Sequence, residues 1–102
     1  MLKLRPPVDW FANRMEFILR KHDKTKPGWI DCSFDYLLDR LSEECFELED
    51  AIKRNEDVVS EAVDVANFAM MIAYNHHRKQ GRGDYGEDTA IGGTGETIDG
   101  RP

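Results

Sequence analysis

The sequence predicts an all-α fold: an antiparallel bundle of three main helices, completed by oligomerisation and followed by a Gly-rich C-terminal tail. Three observations point there. Apolar residues recur at steps of three and four from Phe34 to Ile52, the period of one helix face. From Val58 to Ala73 they point all round a helical axis, and a helix that is apolar on every side has to be surrounded by other helices. Seven of the eight glycines fall in residues 81–102, where that patterning stops. The organisation is therefore a helical domain over residues 1–80 and an irregular tail over 81–102.

A chain of 102 residues builds one domain with a modest core, which association with further copies would enlarge. The formal net charge of -6 argues against a nucleic-acid backbone as partner, because phosphate neutralisation needs a basic surface. No apolar run approaches a membrane span, and MLKLRPPVDW has no apolar signal core, so the expected location is cytoplasmic. Cys32 and Cys45 are too few for a disulfide framework, and with His22, His76 and His77 they show no zinc-ligand spacing.

Taken in order, Pro6 and Pro7 are expected to bar helix upstream, with Asp9 capping a first helix from Trp10 to about His22. Phe11, Met15, Phe17, Ile18 and Leu19 form its apolar side. The segment HDKTKPGWIDCS breaks the pattern at Pro27-Gly28. Its Lys24 and Lys26 offer ammonium groups for phosphate, and Trp29 offers an indole face for a base. The competing reading, solvated lysines with Trp29 anchoring the loop, carries equal weight. Ser33 is the N-cap of helix two, and Asp35 sits in its first turn at the positive end of the helix dipole. Phe34, Leu37, Leu38, Leu41, Cys45, Leu48 and Ile52 form its stripe, with Glu44 about 70° and Glu47 about 130° from the centre at about 100° per residue. Asn55 tolerates a left-handed conformation and closes the helix; Glu56 and Asp57 open helix three, over 57–80. The tail contains a G-x-G-x-x-G match from Gly81 to Gly86, which follows a helix rather than a strand and so lacks the context of a dinucleotide fingerprint.

Between Glu43 and Asp64 stand nine carboxylates and two basic residues, Lys53 and Arg54. Two acidic pairs, Glu44/Glu47 and Glu61/Asp64, are three residues apart and so share a helix face. The second pair lies on the helix that is apolar all round. Two carboxylates about 6 Å apart repel by roughly 3 kcal/mol at an effective dielectric of about 20. A raised pKa, salt bridges or a divalent cation can offset that. Arginine and lysine are absent from residues 55–77, which weakens the second option and favours the cation. Four carboxylates without a Glu–His pair suit a hard ion, Mg2+ before di-iron, with Mn2+ as a substitute. Magnesium takes its remaining ligands from substrate phosphates, which points to a nucleotide polyphosphate. An ordinary solvated acidic surface is the bland alternative, and it would win for a lone E-x-x-E.

The runs Glu43-Glu44-Cys45-Phe46-Glu47-Leu48 and Glu61-Ala62-Val63-Asp64-Val65, separated by the thirteen residues between Glu47 and Glu61, resemble the MazG-like all-α nucleoside triphosphate pyrophosphohydrolases. The signature of that family is E-x-x-E, a spacer, then E-x-x-D. Lys26-Pro-Gly-Trp29, Asp31-Cys32, Tyr36-Leu-Leu-Asp-Arg-Leu41 and Asp64-Val-Ala-Asn-Phe-Ala-Met-Met-Ile-Ala73 are similar to a phage and bacterial subgroup acting on dATP and dGTP. The resemblance spans roughly residues 10–76. It implies hydrolysis between the α- and β-phosphates to a nucleoside monophosphate and pyrophosphate, in a homo-oligomer, a dimer or tetramer. It also implies Glu44, Glu47, Glu61 and Asp64 as ligands of two or more Mg2+ ions. Glu44 or Glu47 would orient or deprotonate the attacking water, and Asn67 would touch substrate or a ligand, or else bond across helices as a buried amide. Extra residues between His22 and Trp29 and the Gly-rich tail depart from the family and leave base preference open. Two readings of other classes stand beside this one: a non-catalytic acidic helical-bundle regulator that binds a basic partner, and a nucleotide-binding sensor without turnover.

Overall fold

The computed structural model describes residues 2–24 and 28–81; Lys26 and the tail after 81 lie outside the described residues. Three helices follow one another, α1 (Pro6–Asp23), α2 (Phe34–Arg54) and α3 (Val58–Gly81), and no strand occurs among the described residues. The fold is all-α. None of the helices is long and apolar enough to cross a membrane. The chain divides into two compact units, Met1–Ile72 and Ala73–Pro102. Within the described part of the second, the Tyr74 and His77 rings lie 6.2 Å apart.

The start of α1 corrects the expectation of a helix capped by Asp9. The helix begins at Pro6, with Arg5 as an N-cap that makes no side-chain bond. Both prolines fit the first turn, where no N–H is required and a fixed φ near -65° already matches the helix. Asp9 lies inside that turn, its N–H bonded to the Arg5 carbonyl at 3.0 Å, and its acidity complements the dipole there. No residue of α1 is buried. Phe17, placed on the apolar side by the sequence, is 63% exposed.

Ser33 caps α2 as expected, its Oγ accepting the Tyr36 N–H at 3.1 Å. The other end closes as a Schellman motif. Asn55 takes the left-handed conformation at φ 58, its N–H reaches the Ile52 carbonyl at 3.2 Å, and the Glu56 N–H reaches Ala51 at 3.1 Å. Arg54 spans the corner, donating to Asp50 at 2.8 Å and Glu56 at 2.6 Å. Asp57 is also left-handed, at φ 56, and its carbonyl accepts the Glu61 N–H at 3.0 Å to start α3. Two successive backbone reversals turn the chain back on itself within three residues. The helices then run antiparallel, so Arg40 meets Phe68 and Glu44 meets Asp64.

The face of α2 that packs in the chain differs from the apolar stripe in its sequence. Leu37, Glu44 and Ala51, seven residues apart, are buried, while Leu38 is 55% and Ile52 60% exposed and Cys45 is exposed as well. At about 100° per residue the buried line is rotated by roughly 70° from the stripe's centre, toward Glu44. The expected stripe is thus only half used within one chain. Val63 and Met71 of α3 complete the apolar core, and Asn67 is buried with them.

Candidate metal centre

The rotation of α2 decides the site. A carboxylate one heptad from Leu37 and one from Ala51 is carried inward, and Glu44 is only 7% exposed. On α3, the three-residue step sets Glu61 and Asp64 on the same side, both half-buried and facing Glu44 across the antiparallel pair. One oxygen from each of Glu44, Glu61 and Asp64 lies within 4.8 Å of the others, a spacing that lets the three hold one metal ion. Glu47 does not belong to this group; it is exposed one turn further along α2.

The donors are all carboxylates, and two of their buried oxygens, Glu44 Oε1 and Glu61 Oε1, have no hydrogen-bond partner. A buried carboxylate oxygen without a donor is costly, by about 1–3 kcal/mol or more for a charged group, so a cation fits the requirement. The protonation tendencies agree. Burial pushes the Glu44 carboxyl above its usual range, with Asp64 and Glu47 adding and Arg40 pulling back. Burial also raises Glu61, followed by Glu47, Asp64 and Asp57, while a hydrogen bond with the Glu44 carboxyl pulls it back. Asp64 is raised by burial against the opposing pull of His22 and Arg40.

Arg40 is the residue that sequence reasoning missed. It donates to Glu44 Oε2 at 3.1 Å and to Glu43, and its guanidinium lies 5.0 Å from the centre of the Phe68 ring. Residues 55–77 contain no lysine or arginine, and the compensating cation comes instead from α2, one turn before Glu44. Its i,i+4 spacing to Glu44 was the available signal. A salt bridge therefore supplies part of the neutralisation that the sequence assigned to metal alone.

Beside the carboxylates opens a cavity of about 490 Å³, lined by Glu44, Asp64, Arg40, Asn67 and His22 together with Trp29, Tyr36 and Phe68. Its volume is within the range of small-molecule sites, roughly 300–1,000 Å³. A larger hollow of about 1130 Å³, between the first half of α1 and the α2–α3 turn, contains none of the clustered acids. Trp29 and Asn67 are thus brought to the cluster. Asn67 is 3% exposed; its Nδ2 donates to the Met15 carbonyl at 3.4 Å, and its buried Oδ1 has no partner. Because the Met15 group can only accept, that bond fixes which end of the amide is the oxygen. Lys24 is exposed at the end of α1, outside the cavity lining, and Lys26 lies outside the described residues.

Over 77 residues the chain is 35% identical to an uncharacterized protein of Archaeoglobus fulgidus, an overlap covering 64% of this chain and 83% of the archaeal one. No family model matches the sequence. No solved structure matches it either.

Proposed function

This chain belongs to one family with the uncharacterized Archaeoglobus fulgidus protein, and we propose that it is a Mg2+-dependent nucleoside triphosphate pyrophosphohydrolase acting on purine deoxynucleotides such as dGTP or dATP. The observation that carries the proposal is the convergence of Glu44, Glu61 and Asp64, of which Glu44 and Glu61 each keep an unpartnered buried oxygen, beside a cavity whose wall includes Glu44 and Asp64 and also presents aromatic rings and an arginine. The MazG-like pattern of the same acids supports it.

In this reading Glu44, Glu61 and Asp64 hold the first ion, and Glu47, one turn from Glu44, reaches a second. Bound Mg2+ supplies positive charge for phosphate oxygens and lowers the pKa of water at the site. The chain supplies the rest. Trp29 and Tyr36 offer ring faces to the base. The Asn67 Oδ1 accepts from a substrate hydroxyl or amine, which relieves its own unmet bond. Glu44 or Glu47 takes a proton as the water oxygen attacks the α-phosphorus; the bond to the bridging oxygen breaks, and pyrophosphate leaves with the electron pair. The exposed half of the α2 stripe, Phe34, Leu38, Cys45 and Ile52, packs against a second copy in a dimer or tetramer, the association that the all-round apolar α3 requires.

The test is a panel of ribo- and deoxynucleoside triphosphates with Mg2+ or Mn2+, read by 31P NMR in 18O-labelled water. Expected are a monophosphate carrying one 18O and unlabelled pyrophosphate, with no reaction in chelator. Release of orthophosphate would move the attack to another phosphorus. Tight nucleotide binding with no turnover would make the protein a sensor, and neither binding nor turnover would leave the acidic regulator.

A further inference from the structure

The geometry points to Arg40 as the anion-recognising group of the cavity: we propose that its guanidinium receives the phosphate oxygens of a polyphosphate ligand once a divalent cation has joined Glu44, Glu61 and Asp64. The inference rests on the hydrolase reading for its ligand class but stands on its own geometry. Arg40 lines the cavity beside Glu44 and Asp64, and its side chain keeps 30% of its surface exposed. Phe68 lies under the guanidinium, its ring centre 5.0 Å from the guanidinium carbon, a cation–π contact that uses none of the N–H donors. One donor of Nη1 goes to Glu43 and one of Nη2 to Glu44, and each of these nitrogens carries a second hydrogen. A planar fork with parallel donors matches two phosphate oxygens, which an ammonium does not.

Charge sets the order of events. Glu44, Glu61 and Asp64 with Arg40 sum to three negative charges and one positive, a wall that repels an anion. One divalent cation brings these four groups to neutrality, with Glu43, which Arg40 also bonds, the remaining negative charge beside them. The cation also draws on the carboxylate that Arg40 now serves, so the guanidinium is left beside a second positive centre. Two adjacent positive groups in a partly dry cavity favour a ligand with several anionic oxygens over a monoanion.

A merely structural Arg40, one that only orients Glu44, makes the opposite forecast for metal affinity, and this difference is the test. Titrate Mn2+ alone, then inorganic pyrophosphate in saturating Mn2+, into the full chain by calorimetry, for wild type, Arg40→Gln and Arg40→Lys. Arg40→Gln is expected to leave Mn2+ affinity unchanged or raise it, since a neighbouring positive charge is gone, and to weaken pyrophosphate binding by about 10- to 100-fold, the range for a lost charge-assisted hydrogen bond. Arg40→Lys keeps charge without the fork and falls between. The proposal is overturned if Arg40→Gln weakens Mn2+ as much as pyrophosphate, if pyrophosphate affinity is unchanged, or if wild type binds pyrophosphate equally well without Mn2+. Circular dichroism and melting of both variants separate misfolding from lost recognition, and Arg40→Lys decides should Arg40→Gln not fold: lysine binding pyrophosphate as wild type does sinks the fork. Nucleotide turnover is scored separately. Arg40-dependent pyrophosphate binding without turnover retains this inference and removes the hydrolase; turnover with Arg40-independent pyrophosphate binding does the reverse.

Discussion

Neutralising Glu61 is expected to stabilise the metal-free protein while weakening its hold on a cation. Glu61 contributes one of three carboxylate oxygens within 4.8 Å of one another, and its Oε1 has no partner. Two full charges at that separation repel by about 3 kcal/mol at an effective dielectric near 20. Partial hydration and partial protonation reduce what can be recovered, so Glu61→Gln should gain about 1–2 kcal/mol, or roughly 4–10 °C in Tm for a domain of this size. Glu61 is the right position because Arg40 bonds Glu44 instead, and removing Glu61 orphans no cation. The pH dependence has a definite sign. Glu44, Glu61 and Asp64 are all raised, so between about pH 4 and their folded values the native state binds more protons than the unfolded chain. Their contribution to stability is present at low pH and lost as pH rises through the folded pKa values. Melting in chelator from pH 4.5 to 8 should therefore show a decline attributable to the cluster that is shallower in Glu61→Gln. Saturating Mn2+ should stabilise the wild type at pH 7.5 by the mass-action amount, about 2.7 kcal/mol at 100 times Kd, read as a higher Tm, and do much less for the variant. A Glu61→Gln protein that melts lower than wild type in chelator, with unchanged circular dichroism, would refute the repulsion and the site built on it.

Under the proposed pyrophosphohydrolase function, Asp64→Asn should reduce nucleotide turnover at least about 100-fold while the helix content stays the same, measured by pyrophosphate release, since a neutral amide is a far poorer ligand than a carboxylate. Ser33→Ala should cost about 1 kcal/mol in denaturant melting through loss of the Tyr36 N–H bond, leaving Mn2+ affinity as it was. Leu38→Glu puts charge on the exposed half of the α2 stripe; light scattering should report a smaller particle than wild type, and identical masses would remove the second copy from that face. Trp29→Ala should raise KM several-fold with little change in kcat if the indole supports the base, and an unaltered KM would return Trp29 to the role of loop anchor.

Local chemistry alone determined much of this chain. The Ser33 cap, the left-handed Asn55 and the helical period from Phe34 to Ile52 are short-range features, set by hydrogen bonds and sterics within a few residues, and each stands where the sequence put it. The pairing of Glu61 with Asp64 follows from helix geometry in the same way. Even the misjudged start of α1 was a local matter, since proline at the first helical positions is favourable rather than forbidden. What required tertiary structure was rotation about helix axes. Periodicity locates an apolar stripe but does not say which edge of it a neighbour will cover, because that depends on where α1 and α3 find room to approach. In the folded chain the buried line of α2, Leu37, Glu44 and Ala51, lies about 70° away from its stripe's centre. That rotation buries Glu44, leaves Glu47 outside, and brings Arg40 over Phe68. Which acids stand in the chain was written in the sequence; which three of them share one point in space was decided by the packing.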